Sequence, residues 1–518
     1  MTFNSNKQNR VVLGILLGII FLAFALRLVN LNGRPFWYDE AFSVLYAEKP
    51  FATMLYGTIA QTDGAAADVH PLFYYTILHG WMGLAGQSAA AVRLLSVLLG
   101  VTTVIVVYLL GCYLFGRRAG LLAALITAVA PFALYYAQET RMYALLGLAA
   151  VTTTYFFARA WVEQKRWQWL AFAAAGAVTL YAHNLGAMFI AGLGIWVLWT
   201  WWRERQLRHL RPFFLACCLM LLLFAPWLAI LPSQFGKIQQ AYWVARPDLV
   251  SLLQTSLIFH LAYDNQALPA WLLPLAIAFS LFLPVILLLE WRRGAKAGSL
   301  STGVFPTPVG LLFCLAFLPP LLTFLISQWR SVFIVRALLP SALAYYTLAA
   351  GILVNRSFPR PIRWGTLLVA AILALFSLQN HYRYAEFPRS PFAETAVFLA
   401  QEAASPDDMI IHSNKMTFFP THYYNRRLPM AFIADEPGSP ADSLAYATQE
   451  ALGLYAIPDL ETAVANHPRI WFVIFQAALA EYETIGQTHP HLSWLNAHYR
   501  QTNLVQFNDL SIYIFEQK

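Results

Sequence analysis

Charge is what this sequence has least of. Aspartate, glutamate, lysine and arginine make up 12% of its 518 residues, about half the share usual in a soluble domain. Set beside 59% hydrophobic and 15% aromatic residues, that scarcity excludes a water-soluble globular fold and implies a polytopic membrane protein. Cysteine is rarer still. Cys112, Cys217, Cys218 and Cys314 all fall in apolar runs, at no metal-ligand spacing and with no pair flanking an extramembrane loop. They read as small buried hydrophobes, and no disulfide framework is implied. Internal repeats and low-complexity segments are lacking, which argues against inverted-repeat transporters. Acids are sparse up to Asn380, 11 against 26 basic residues, whereas the remainder carries 15 against 8. The net charge of +8 therefore belongs to membrane loops, and nucleic acid is not an expected partner.

What is present is a series of long apolar runs. They lie at residues 11–29, 89–114, 119–136, 144–161, 168–182, 185–202, 212–231, 268–290, 308–327, 337–354 and 365–379, most of them close to the ~20 residues that cross a bilayer. Eleven membrane helices are predicted. The first run follows Lys7 and Arg10 and contains Ala23-Phe24-Ala25, as a cleavable signal would. It continues through Val29, however, and is read as a retained span. Cytoplasmic connections carry the excess of Lys and Arg. With the N-terminus inside, the inner connections hold sixteen basic residues, among them Arg117, Arg118, Arg205, Arg208 and Arg356. The outer ones keep fewer, including Arg34, Lys49, Arg141 and Arg336. Eleven spans then put the C-terminal segment outside, in a multi-pass protein of the inner or plasma membrane.

Two parts lie outside the bilayer. The connection 30–88 is too long for a plain turn, and its amphipathic patches at 51–59 and 72–84 suit interfacial helices. From residue 380 the composition is that of a small α/β domain, with a helix over 391–404, buried strands at 408–412 and 470–475, and a terminal strand over 504–515. Domain boundaries are therefore expected at 1–379, a transmembrane module including the loop, and 380–518, an external soluble domain.

The chemistry concentrates near the outer ends of the helices. Asp39 and Glu40 follow the first span by about ten residues, among Phe36, Trp37 and Tyr38, aromatics that also suit an interfacial belt. A carboxylate beside a membrane is costly unless it faces water, a cation or a substrate. On the same side fall His70, Glu139, Arg141, His183 and Arg336. Acids, imidazoles and arginines next to a lipid phase fit transfer from a lipid phosphate: a base takes a proton from an acceptor hydroxyl while arginine or a metal stabilises the departing phosphate. Each has a plainer alternative. Arg141 can pair with Glu139, His70 can close a turn before Pro71, and His183 can be an ordinary hydrogen-bonded interfacial histidine.

Taken together, the Asp39-Glu40 pair in a long first loop, His70-Pro71-Leu72-Phe73-Tyr74-Tyr75, Gln138-Glu139-Thr140-Arg141-Met142-Tyr143-Ala144, and Arg336 to Pro340 resemble the GT-C integral-membrane glycosyltransferases. The nearest branch is family 39, the protein O-mannosyltransferase and aminoarabinose-transferase type. The resemblance spans residues 1–380 and departs from the usual pattern at Leu72, at Ala337 and in the lone acid Glu139. It implies a polyprenyl-phosphate-linked sugar as donor and a lipid, glycan or protein acceptor. Asp39 would be the catalytic base and Glu40 its partner. Arg336, with Arg141 and His183, would bind the donor phosphate, while His70, Glu139 and Tyr143 would line the cavity. A divalent metal ion stays open as a cofactor, with Glu139 and His70 as candidate ligands. The expected activity is an inverting glycosyl transfer on the non-cytoplasmic face. A transporter or lipid flippase, and a ligase for large lipid-linked glycans, are the alternatives.

Overall fold

The computed structural model describes residues 2–62, 65–204, 209–240, 243–262, 269–297, 307–355, 359–403, 405, 407–439, 441–465 and 467–518. The inner-loop residues Arg205, Arg208 and Arg356 lie outside the described residues. Contacts divide the chain into two units, one formed by Met1–Leu31, Arg93–Leu231 and Val244–Arg383, the other by Asn32–Val92, Pro232–Trp243 and Tyr384–Lys518.

The first unit is helical, and the apolar runs fall largely on helices. Among the described residues eight helices are long and apolar enough to cross a membrane, or nine if one bent pair counts as a single span. The runs at 168–182 and 185–202 form Arg166–Ala182 and Gly186–Glu204, which are not among those eight. The bent pair corrects the single helix expected over 119–136: Arg117–Val129 and Pro131–Ala137 meet at 61°. The break sits where Pro131 forces Ala130 out of the helical region, to φ −63° and ψ 121°, as the residue before a proline is forced. Carbonyls freed there find a donor in Arg27, whose guanidinium donates to Thr127 O at 3.3 Å and Ala128 O at 3.0 Å. The centre of the unit is Leu339–Val354, buried along nearly its whole length and packed on Arg117–Val129, Tyr143–Glu163 and Pro308–Ser327. A helix apolar on all faces belongs in such a place. Elsewhere Gly111 meets Gly120 so closely that a Cβ on Gly111 would lie 2.9 Å from the Gly120 Cα, the small-residue contact that lets membrane helices approach. Side chains such as Phe21, Leu222 and Phe282 are more than half exposed, an outer surface that only hydrocarbon satisfies.

The second unit joins the loop to the C-terminal segment. The loop supplies helices Tyr38–Ala47, Phe51–Ile59 and Phe73–Ala85 and a two-residue ladder of β1 (Gln61–Thr62) with β2 (Ala65–Ala66). The C-terminal segment supplies β3 (Asp408–His412), β4 (Met430–Phe432), β5 (Arg469–Phe475), β6 (Tyr499–Phe507) and β7 (Leu510–Gln517). Their order in the sheet is β4-β3-β5-β7-β6. The first three strands are parallel, and β7 and β6 complete the sheet antiparallel. Period-2 alternation sends Ile470, Phe472 and Ile474 to one face and Trp471 and Val473 to the other, and both faces are covered, hence the unbroken apolar run of β5. The single terminal strand expected over 504–515 is two strands joined at Asn508-Asp509. Asn508 adopts φ +48°, the left-handed conformation a two-residue hairpin turn demands.

Candidate active site

In the first unit, the segment Gln138-Glu139-Thr140-Arg141 bridges Pro131–Ala137 and Tyr143–Glu163, and all four residues are buried. A buried, irregular stretch needs its polar groups satisfied, and the sequence supplies the partners. The Gln138 side-chain amide donates to Arg27 O at 2.8 Å and Val29 O at 2.9 Å and accepts from His381 Nε2 at 2.9 Å. Ser96 Oγ donates to Glu139 O at 2.7 Å. Gln138, Ser96 and His381 thus lock the turn that presents Glu139 and Arg141. Gln138 stands in the motif read from sequence, whereas Ser96 and His381 do not, since lone polar residues in apolar runs carry no motif.

Tyr143 is where the predicted residues of this unit meet. Its ring lies against Tyr136 at 5.0 Å and His183 at 5.9 Å, and the Arg336 guanidinium sits over its face, 5.4 Å from the centroid. Arg336 is held by the 3-10 turn Val335–Leu338 ahead of the central helix Leu339–Val354. His183 caps the end of Arg166–Ala182. Its Nδ1 accepts from the Leu185 N–H at 3.1 Å, so the neutral ring carries its proton on Nε2. Tyr143, His183 and Arg336 therefore form one cluster, with Arg141 two residues from its centre. Cation over ring, and an imidazole N–H beside it, make a donor-rich patch suited to an anion.

In the second unit, Asp39 and Glu40 occupy the first turn of Tyr38–Ala47, where exposed backbone N–H groups favour anionic side chains. Their fates differ. Glu40 is fully buried and ion-paired with Arg389, itself fully buried, whereas Asp39 remains partly exposed. Arg389 was invisible to sequence reading: a single basic residue 349 positions away carries no motif. The aromatics around the acids pack on rings of the C-terminal segment. Phe36 is buried and stacks on Tyr423 at 4.4 Å, Trp37 meets Phe387 edge-on, and Tyr38 meets Phe419. His70 pairs through Nδ1 with Asp68 Oδ1 at 3.0 Å, and the same oxygen accepts from the Val69 N–H at 2.6 Å. Asp68 is a second partner that sequence reading missed.

Among the described residues no group of three His, Cys, Asp or Glu side chains converges as ligands would. His70 is engaged by Asp68, and Glu139 belongs to the other unit.

A family model described as dolichyl-phosphate-mannose-protein mannosyltransferase matches residues 69–230, less than half of the chain. No curated protein matches the sequence significantly. Among solved structures, ArnT from Cupriavidus metallidurans bound to undecaprenyl phosphate is similar over 97% of this chain and 98% of its own, with 14% identity and a TM-score of 0.61. The Archaeoglobus fulgidus oligosaccharyltransferase AglB, in complex with an inhibitory peptide and a dolichol-phosphate, is similar over 98% of this chain and 74% of its own, with 13% identity and a TM-score of 0.56. Likeness at that identity is likeness of fold: a multi-pass helical GT-C architecture with a small C-terminal sheet.

Proposed function

We propose that this protein is an inverting membrane glycosyltransferase that moves a sugar from a polyprenyl-phosphate donor to an acceptor hydroxyl or phosphate on the non-cytoplasmic face. The observation that carries this reading is the cluster of half-buried Arg336 with buried Tyr143 and His183, a cationic and aromatic patch at helix ends of a membrane unit, where a lipid phosphate would lie. The fold likeness to proteins solved with undecaprenyl phosphate and dolichol-phosphate supports it.

Each residue then has one task. Asp39, partly exposed, takes the proton from the acceptor oxygen as general base. That oxygen forms its bond to the anomeric carbon from the face opposite the phosphate. The bond from carbon to phosphate oxygen breaks, and its electron pair leaves with the polyprenyl phosphate. Arg336, with Arg141 and the Nε2–H of His183, stabilises the charge that develops there. Glu40 is tied to Arg389 and so orients the base turn without taking the proton itself. Glu139 and Tyr143 belong with Arg336 on the donor side, and His70, paired with Asp68, belongs to the unit that carries Asp39. The N-terminus is cytoplasmic and the 380–518 segment external.

The test is turnover of purified protein with a polyprenyl-phosphate sugar, following both the released polyprenyl phosphate and the anomeric configuration of the product. Asp39→Asn keeps size but cannot accept the proton, and turnover is expected to fall at least ~100-fold while donor binding survives. Retained configuration, or full turnover in a folded Asp39→Asn protein, rejects the mechanism. Loss of turnover on chelation would restore a divalent ion to the scheme.

A further inference from the structure

Two acids sit at adjacent positions of helix Tyr38–Ala47, and neighbours on an α-helix are turned about 100° apart. They cannot face the same way. Glu40 takes the inward direction and meets Arg389 in full burial, so Asp39 is turned off the core.

The stretch that carries Arg389 is anchored on its own side. Asp509, in the turn between β6 and β7, accepts from the Phe387 N–H at 2.9 Å and from Ser390 Oγ at 2.8 Å. Asn508 Nδ2 donates to Ala385 O at 3.1 Å. On the loop side Arg389 also donates to Pro35 O at 3.4 Å, and the Phe36 N–H donates to Tyr424 Oη at 2.9 Å. The backbone leading into the Asp39 turn is thus gripped from both directions by residues of the C-terminal segment.

We propose that Arg389 is a positioning residue for the transfer reaction: by holding Glu40 in the core it sets the rotation of the first helical turn and keeps Asp39 facing outward, a role that rests on Asp39 being the base. The C-terminal segment then belongs to the catalytic machinery. Other ionisable groups within this unit on elements packed against the helix are already committed or lie farther along it. Lys415 pairs with Asp435 and Glu450 accepts from Tyr56. His79 bonds Ala47 O at the far end of the helix, and His422 is held neutral by burial, with a pKa lowered to about 4. Arg389 is paired with the acid next to the base.

Removing one charge of the pair changes the net charge beside Asp39, and the sign of the effect is fixed. Arg389→Met takes a positive charge away near the base, which makes deprotonating Asp39 harder and moves the acid limb of kcat/KM to higher pH. Glu40→Gln takes a negative charge away and moves it to lower pH. Shifts of about one pH unit are expected from a like or opposite charge at this range. Glu40→Gln with Arg389→Met together removes both charges and returns the limb to near its original position.

The experiment measures these pH profiles on the full-length protein, with binding of polyprenyl phosphate as the check that each variant is folded. Arg389→Met is expected to lower kcat at least about tenfold with KM for the donor little changed, the cost of a base misplaced by about 1 Å. Arg389→Lys keeps the charge, so the limb stays while kcat falls. Where Arg389→Met fails to bind donor, the neutral double variant and Arg389→Lys carry the comparison. Acid limbs that move the same way in both single variants, or not at all, overturn the positioning role. So does a double variant whose acid limb stays where Arg389→Met puts it. Asp39→Asn is run in parallel: full turnover there rejects the base assignment and the positioning role together, whereas inactivity there with unmoved Arg389 profiles rejects the positioning role alone.

Discussion

Replacing Arg336 by lysine keeps the positive charge and removes two things the structure displays: the planar fork and its place over the Tyr143 ring, 5.4 Å from the centroid. A hydrogen bond to a charged group contributes ~1.5–3 kcal/mol, and one arm of a bidentate grip is lost when the fork becomes a point charge. The cation–π contact, partly shielded from water here, is worth ~0.5–2 kcal/mol. The lower ends together give about 2 kcal/mol, which is about 30-fold in Kd at about 1.4 kcal/mol per tenfold. Titration of the detergent-solubilised protein with polyprenyl phosphate, read by calorimetry or by ligand-induced thermal stabilisation, measures this directly. Two variants of the ring separate the contributions. Tyr143→Phe keeps the face under the guanidinium and is expected to stay within about twofold of the parent. Tyr143→Leu removes it and is expected to lose about fivefold, the equivalent of ~1 kcal/mol. An unchanged affinity in Arg336→Lys would take Arg336 out of the phosphate site. Equal losses in the two Tyr143 variants would show that the phenol oxygen, not the ring face, supports the arginine.

Gly57→Ala is expected to lower the melting temperature of the protein, because its Cβ would lie 2.6 Å from Ala451 Cβ and 2.8 Å from Tyr46 Oη, an overpacking cost of ~1–3 kcal/mol. Gly80→Ala, on a helix with nothing within 4 Å, is expected to be stabilising, and the same sign in both would refute the packing seen at Gly57. Burial holds His412 at about 3 and His422 at about 4, below the usual 6.5. Between those values and 6.5 the unfolded chain binds protons that the folded one refuses, so stability is expected to fall as pH drops through 6.5. Melting curves from pH 7.5 to 5 check this, and His412→Gln is expected to flatten the slope. Reporter fusions after Arg118 and at Lys518 are expected to read opposite sides of the membrane; the same side at both would sink the eleven-span topology.

Much of this protein is written in short-range pattern. Apolar runs and their flanking charges are local quantities, and hydrocarbon demands that every spanning backbone satisfy itself as helix, so spans can be read without knowing what packs on them. Short apolar runs made β3 and β5 legible for the same reason. Breaks were harder: the kink before Pro131 and the turn at Asn508-Asp509 each hang on one or two residues inside an otherwise continuous pattern. In the candidate site, Asp39, Tyr143, His183 and Arg336 stood out because polar groups beside a membrane are conspicuous. Arg389, Asp68 and Ser96 did not, since their roles exist only through partners far along the chain or in an irregular turn.

The sequence by itself determined that this is a multi-pass helical membrane protein with an α/β segment at its C-terminal end, and which acids and arginines are candidates for chemistry, because composition, hydrophobic period and charge placement follow from residues near one another. Only the tertiary structure decided which of two adjacent acids is consumed by an ion pair and which is left partly exposed. It also decided that the loop carrying them belongs to one compact unit with the C-terminal segment. Those outcomes turn on where Arg389 comes to rest, and a contact across 349 positions is set by the packing of a whole unit, which no local pattern encodes.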